Sequence, residues 1–220
     1  MQCFMHIQNE IFKQRNLYRH AQGHHNVAGE KDYESYQKEE YEDALLTALG
    51  EAQCEGLKFH RISVNFAKHP DLLVVSPMRR TLATASISFG DLIGSIPWVA
   101  HESLREQAGY HPCDRRRPIS ELKESYHHVD FSIIQHDKDP LYYHQPGRET
   151  AENVTKRAFD FFSWLESRTE KEIVVVTHSA FLHSMFQSVV ETDLLAEGDR
   201  CGIFANCEMK SYRVDSVCAR

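Results

Sequence analysis

Two short apolar runs, Leu72-Leu73-Val74-Val75 and Ile173-Val174-Val175-Val176, constrain this chain more than anything else in its 220 residues. Continuous, β-branched-rich runs of this length read as strands buried on both faces, the mark of a parallel sheet. Each gives way at once to polar residues. Ser76-Pro77-Met78-Arg79-Arg80-Thr81 follows the first run, and Thr177-His178-Ser179 follows the second. A third strand end, Leu17-Tyr18-Arg19-His20, opens into Ala21-Gln22-Gly23-His24-His25-Asn26. If the strands are parallel neighbours, their ends share one edge of the sheet, where ligands of open α/β folds bind. Pro97-Trp98-Val99-Ala100 is a weaker strand candidate. The approach to Arg19 is broken by Lys13, Gln14, Arg15 and Asn16, so residues 1–16 read as an irregular or disordered segment.

Helical periodicity follows the strands. Leu45, Leu49, Ala52 and Leu57 suggest one face after Thr47, and Leu82, Ala85 and Phe89 another. The clearest helix spans Thr150 to Ser167, with Val154, Ala158, Phe161, Phe162 and Leu165 on one stripe and Thr150 as its cap. Ser179 is placed to cap a helix from Ala180 to about Val189. Strand–helix alternation implies a three-layer α/β sandwich, its mainly parallel central sheet flanked by helices. Residues 17–220 then form a single domain. The stretch from Gly109 to Gly147 has little periodicity and reads as a loop-rich insertion carrying function rather than core.

Composition narrows the function classes. A formal charge of −7 argues against a general nucleic-acid binder, so any anion site must be a local positive pocket. No run approaches the ~20 apolar residues of a membrane span. Met1 to Arg15 lacks the charged and apolar pattern of a secretory signal, so a cytoplasmic protein is expected. Six cysteines without a C-x-x-C pair read as free thiols, neither a disulfide framework nor a zinc site.

Two histidines and two arginines at neighbouring strand ends suit phosphate esters. His20 is the candidate nucleophile, attacking phosphorus through one ring nitrogen while the other is held by a hydrogen bond. Arg19 and Arg80 would neutralise phosphate oxygens, and His178 and Asn26 would add donors. The helix opened by Ser179 turns its positive end toward an anion. Each residue alone has a bland reading as a solvated loop or surface group; their convergence at three strand ends does not.

The motifs resemble the histidine phosphatase superfamily, the phosphoglycerate-mutase-like proteins, and most closely the branch typical of plants and fungi. Arg19-His20-Ala21-Gln22-Gly23-x-His25-Asn26 is followed in the branch's order by Asp43-Ala44-Leu45-Leu46-Thr47-Ala48-Leu49-Gly50-Glu51-Ala52-Gln53. Then come Ser76-Pro77-Met78-Arg79-Arg80-Thr81-Leu82, Glu102-Ser103-Leu104-Arg105-Glu106, Thr177-His178-Ser179 and Phe204-Ala205-Asn206-Cys207-Glu208. The likeness runs from about residue 17 to 210. It implies His20 as a phosphohistidine nucleophile, with Arg19, Asn26, Arg80 and His178 forming the phosphate pocket. Glu106 matches the proton donor, with Glu102 as the fallback. Gln22, Gly23 and Ser179 are expected to join substrate binding.

The resulting expectation is a phosphomonoesterase working through phosphohistidine on a small phosphorylated metabolite, without cofactor or metal. The alternatives are a phosphoglycerate-type mutase and a silent phosphate-binding scaffold. No nucleic-acid or membrane partner is expected, and the sequence leaves oligomeric state open. Arg115, Arg116 and Arg117 read equally as contacts to a second anionic group or as a solvated run. His111, His127, His128, His136 and His144 have no assignable role.

Overall fold

In the computed structural model, which describes residues 13–64, 69–142, 147–188 and 204–214, five strands form one sheet in the order β3-β2-β4-β1-β5. They are β1 (Lys13–Arg19), β2 (Leu72–Val75), β3 (Trp98–Ala100), β4 (Glu172–Thr177) and β5 (Met209–Val214). The first four are parallel, as the apolar runs require, and β5 adds an antiparallel edge beside β1. The edge strand β5 has no counterpart in the sequence reading, because its alternating residues form too short a pattern to stand out.

The described residues include six α-helices: α1 (His24–Lys31), α2 (Ala48–Ser63), α3 (Arg79–Ser88), α4 (Ile119–Ser125), α5 (Ala151–Ser167) and α6 (Ser179–Ser188). Alternation of side chains along the strands splits the core in two. Leu17, Leu72, Val74, Ile173 and Val175 pack under α5 and α6. Tyr18, Leu73, Val75, Val174 and Val176 pack under α3 and α4. This is the expected three-layer sandwich.

Several expectations are corrected. β1 begins at Lys13, so residues 13–16 are strand rather than irregular; residues 1–12 lie outside the described residues. Arg15 and Asn16, which interrupt the apolar pattern, are buried within it and find polar partners, although Arg15 Nη2 has none among the described residues. Arg15 Nη1 donates to the carbonyls of Gln14, Glu170 and Lys171, and Asn16 Nδ2 donates to Glu172 Oε1 at 2.9 Å. In α2 the inner face is Gly50, Cys54 and Arg61; of the expected face, Leu45 precedes the helix and is exposed, Leu49 and Ala52 are exposed, and Leu57 packs against the core. Close contact of α2 with the loop after His20 turns the helix this way, since only a residue without Cβ fits against the Gln22 carbonyl. Among its described residues the loop-rich stretch holds a 3-10 turn, Pro112–Asp114, and one short α-helix, α4, whose Ile119 and Leu122 reach the core. Ser179 lies inside the first turn of α6, where the His178 carbonyl accepts from Leu182 N, so it is not a cap. Val189, the expected end of that helix, and His144 lie outside the described residues. Thr150 caps α5 as expected, accepting from Asn153 N at 3.2 Å.

The two glycines of α2 separate backbone approach from helix propensity. A Cβ on Gly50 would lie 2.1 Å from Gln22 O, whereas one on Gly56 meets nothing within 4 Å. Gly50→Ala is expected to lower stability by about 1–3 kcal/mol through overpacking. Gly56→Ala should raise it by about 0.5–1 kcal/mol through helix propensity. Urea denaturation of both variants checks the opposite signs.

Candidate active site

The pairing of β1 with β4 sets Arg19 opposite Thr177, so the residues that follow, His20 and His178, leave the sheet side by side. His20 N donates to Thr177 O at 2.9 Å, and the two rings stand edge to face with centroids 5.1 Å apart. Ser76, just past β2, joins them: its N–H donates to Val176 O, and its Oγ lies 2.9 Å from His178 Nε2. The three strand ends therefore meet at one point, at the floor of a cavity of about 440 Å³.

Hydrogen bonds assign the ring protons. His20 Nδ1 lies 2.7 Å from the Ala21 carbonyl, which can only accept, so the proton sits on Nδ1 and Nε2 carries the lone pair. Arg80 Nε donates to His178 Nδ1 at 3.3 Å, so His178 keeps its proton on Nε2 for Ser76. Burial holds His20, His25 and His178 well below the usual histidine pKa, and the Arg80 guanidinium pushes each in the same direction. All three rings are neutral.

Arg80, from the first turn of α3, is fully buried. Its Nη1 donates to Cys113 O at 2.6 Å and its Nη2 to Asp114 Oδ1 at 3.1 Å. Arg79 faces away, and its backbone N–H donates to Asp43 Oδ1 instead. Arg19 Nη1 donates to Phe204 O, while its buried Nε has no partner among the described residues. Asn26 Oδ1 accepts from Gly23 N at 2.9 Å, which fixes the start of α1, and Asn26 borders the cavity. Ser179 and Ala180 place the first turn of α6 against the cavity, directing its positive end inward. Glu106 borders the same space, oriented by Gln107 N at 3.0 Å and Ala180 N at 3.4 Å. Asn206, in the loop before β5, donates through Nδ2 to His20 O at 3.2 Å.

Of the residues expected at the site, Arg19, His20, Asn26, Arg80, Glu106 and Ser179 line the cavity, and His178 stands beside His20 behind Arg80. Three others do not line it. Gln22 Oε1 accepts from Thr47 Oγ1 at 2.8 Å, and Gln22 N donates to Gln53 Oε1 at 2.9 Å. Its role is to join the first motif to the second. Gly23 opens α1 through the backbone. Glu102 accepts from Arg105 and Arg116, away from the cavity. Nor do Arg115, Arg116 and Arg117 reach it: Arg115 binds Glu39 and Glu42, Arg116 binds Glu102 and loop carbonyls, and Arg117 pairs with Glu42.

Sequence reasoning missed part of the lining. Tyr33, Tyr36, His111 and Arg148 also line the cavity, along with His25 and His183. Gly109 and Gly147, the ends of the expected insertion, mark its neck: a Cβ on Gly109, at φ +142°, would lie 2.5 Å from Gly147 O. That close return carries Arg148 back beside His111, a proximity that linear spacing does not reveal.

His111, Cys113 and Asp114 could in principle offer ligands to a cation, their donor atoms lying within 4.8 Å of one another. Their chemistry opposes this. Asp114 already accepts from Arg80 and Arg148, and His111 Nδ1 meets Arg148. Burial and the Asp114 carboxylate push the Cys113 thiol well above its ordinary pKa.

A mainly parallel sheet whose ends gather a proton-free imidazole nitrogen, buried arginines and a helix N-terminus defines a phosphatase- or mutase-type enzyme. A sequence profile of the histidine phosphatase superfamily (branch 1) matches residues 16–217, and the chain belongs to that family. It is 41% identical over 199 residues to an Arabidopsis thaliana phosphoglycerate mutase-like protein, covering 79% of this chain and 73% of the relative. To phosphoglycerate mutase-like protein 1 of the same plant it is 40% identical, covering 89% and 78%. Among solved structures, the ecdysone phosphate phosphatase of Bombix mori superposes with a TM-score of 0.58 at 17% identity, covering 90% of this chain and 88% of that one. Bacillus stearothermophilus YhfR gives 0.59 at 19% identity, covering 93% and 92%; at such identities the likeness is one of fold.

The neutral histidines carry a pH signature. Unfolded, each binds a proton near pH 6.5; folded, each refuses it until well below. Their contribution to stability is therefore intact above about pH 6.5 and is lost as pH falls below it, by at most about 1.4 kcal/mol per ring per pH unit. Urea midpoints at pH 7.5 and 5.5 should show a marked drop at the lower value. A flat profile would mean that these rings titrate normally.

Proposed function

We propose that the chain hydrolyses phosphate monoesters of small metabolites through a phosphohistidine on His20, without a metal. The observation that carries this reading is the His20 Nδ1–H bond to Ala21 O, which leaves Nε2 with its lone pair in a cavity shared with the buried Arg80 and the half-buried Arg19. A neutral imidazole fixed in one tautomer is the form a nucleophile needs.

In the first half-reaction the Nε2 lone pair forms a bond to phosphorus and the ester P–O bond breaks. Glu106 gives its proton to the departing oxygen. Arg19 and Arg80 hold the phosphoryl oxygens, Asn26 and the first turn of α6 add neutral donors, and His178 positions the Arg80 guanidinium. In the second half, Glu106 takes a proton from water, whose oxygen attacks phosphorus. The P–N bond breaks, releasing phosphate and restoring the His20 lone pair.

Hydrolysis is favoured over a mutase cycle because Arg115, Arg116 and Arg117 are committed to glutamates elsewhere, and Arg148, which lines the cavity, already donates to Asp114 and Gln107. A mutase reading retains support from the names of the plant relatives.

Release of phosphate from p-nitrophenyl phosphate, with and without EDTA, tests the proposal. The wild type should be active and insensitive to chelator, and His20→Ala should lose several orders of magnitude, since groups acting as a unit fail together. Bound phosphate without turnover would instead mark a scaffold, and activity surviving His20→Ala would place the nucleophile elsewhere.

A further inference from the structure

The cavity that holds His20 has an aromatic wall. Tyr36 and His111 stack with centroids 5.6 Å apart and planes at 16°, and Tyr33 stands edge-on to both at 5.4 and 5.8 Å. Tyr33 is 60% exposed, so its ring lines the cavity where the cavity opens to solvent.

The charge around the cavity is also restrictive. Three arginines, Arg19, Arg80 and Arg148, are set against one carboxylate, Asp114, and against Glu106, which carries the proton it donates. Asp114 occupies both Arg80 and Arg148 in part, and Arg148 also donates to Gln107 Oε1. The two positive charges left over are matched by a single phosphate dianion. Burial holds the His111 ring below its ordinary pKa, with Arg148 adding to the effect against the opposing Asp114 carboxylate, so the stacked rings themselves stay uncharged.

We infer that the substrate of this site is a phosphomonoester whose non-phosphate half is flat and uncharged, stacking on the Tyr33–Tyr36–His111 wall, rather than a phosphoglycerate bearing a second anionic group. The inference rests on the phosphatase reading for its turnover arm, and on the cavity alone for its binding arm. Plane-on-plane contact with an aromatic wall favours flat groups over flexible polar ones. A carboxylate brought to the same wall would lose its water, and the one cation beside it, Arg148, already donates to Asp114 and Gln107.

The experiment compares three primary alkyl esters of similar leaving-group chemistry: 2-phenylethyl phosphate, glycerol 3-phosphate and 3-phosphoglycerate. Beside them, calorimetry measures the binding of phenylphosphonate, methylphosphonate and phosphonoacetate, which cannot be hydrolysed. The expected kcat/KM for 2-phenylethyl phosphate exceeds that for 3-phosphoglycerate by about tenfold or more. Phenylphosphonate should bind the tightest of the three phosphonates. Tyr33→Ala should shrink both ratios about three- to tenfold, mainly through KM and Kd, and Tyr33→Phe should restore them. Phosphonoacetate binding as tightly as phenylphosphonate, or ratios unmoved by Tyr33→Ala, would overturn the inference. Turnover of none of the esters sinks the phosphatase reading instead, and the order of phosphonate affinities then still decides this one.

Discussion

Everything at the site depends on the parallel register of β1 against β4. Arg19 pairs with Thr177, and His20 N donates to Thr177 O, so the last sheet bond of one strand hands both chains over to their histidines at the same height. A slip of one residue would turn every side chain of β1 to the opposite face. The two buried core clusters, one on each face, make that slip costly. Site geometry is thus a by-product of core packing: the same alternation that buries Leu17 and Tyr18 on opposite sides of the sheet sets where Arg19 and His20 emerge.

Charge is the second organising constraint. A chain of net charge −7 builds its positive pocket from buried arginines, and it separates those that brace the fold from those facing the cavity. Arg105 is held between Asp139, Glu102 and the Asp114 carbonyl, and Arg116 lies among loop carbonyls. These pairs tie the 109–142 excursion to the sheet. Arg80 does both jobs, gripping Cys113 O and Asp114 while aligned by His178. An anion arriving at the cavity meets cations whose positions are already set by other bonds, which is the preorganisation electrostatic catalysis needs.

The parts of the site legible in the sequence are those at strand ends. Arg80 and His178 follow runs whose burial is readable, and the ends of neighbouring parallel strands must coincide; the strand before His20 is masked by its polar residues. Glu106 was found through resemblance alone. Gln22 and Glu102 were misplaced because a polar residue next to a motif looks the same in sequence whether it faces substrate or, like Gln22, bonds to Thr47 and Gln53. The aromatic wall was invisible for a different reason. Tyr36 and His111 meet only because α1 and the short helical turn after it fold back over the loop that begins at Gly109, a contact across 75 residues without periodicity.

By itself, the sequence determined the α/β class, the parallel strands and the placing of a histidine and an arginine at their ends, because buried four-residue apolar runs admit few other structures. Tertiary structure decided what local pattern could not. It made a strand of Lys13–Arg19 despite its polar content, by giving Arg15 and Asn16 partners in neighbouring chain. It turned α2 so that Gly50, not Leu49, faces inward, because the Gln22 carbonyl leaves no room for a Cβ. It also chose which arginines remain for a ligand, since a guanidinium is free or spent according to the carboxylates that folding brings to it.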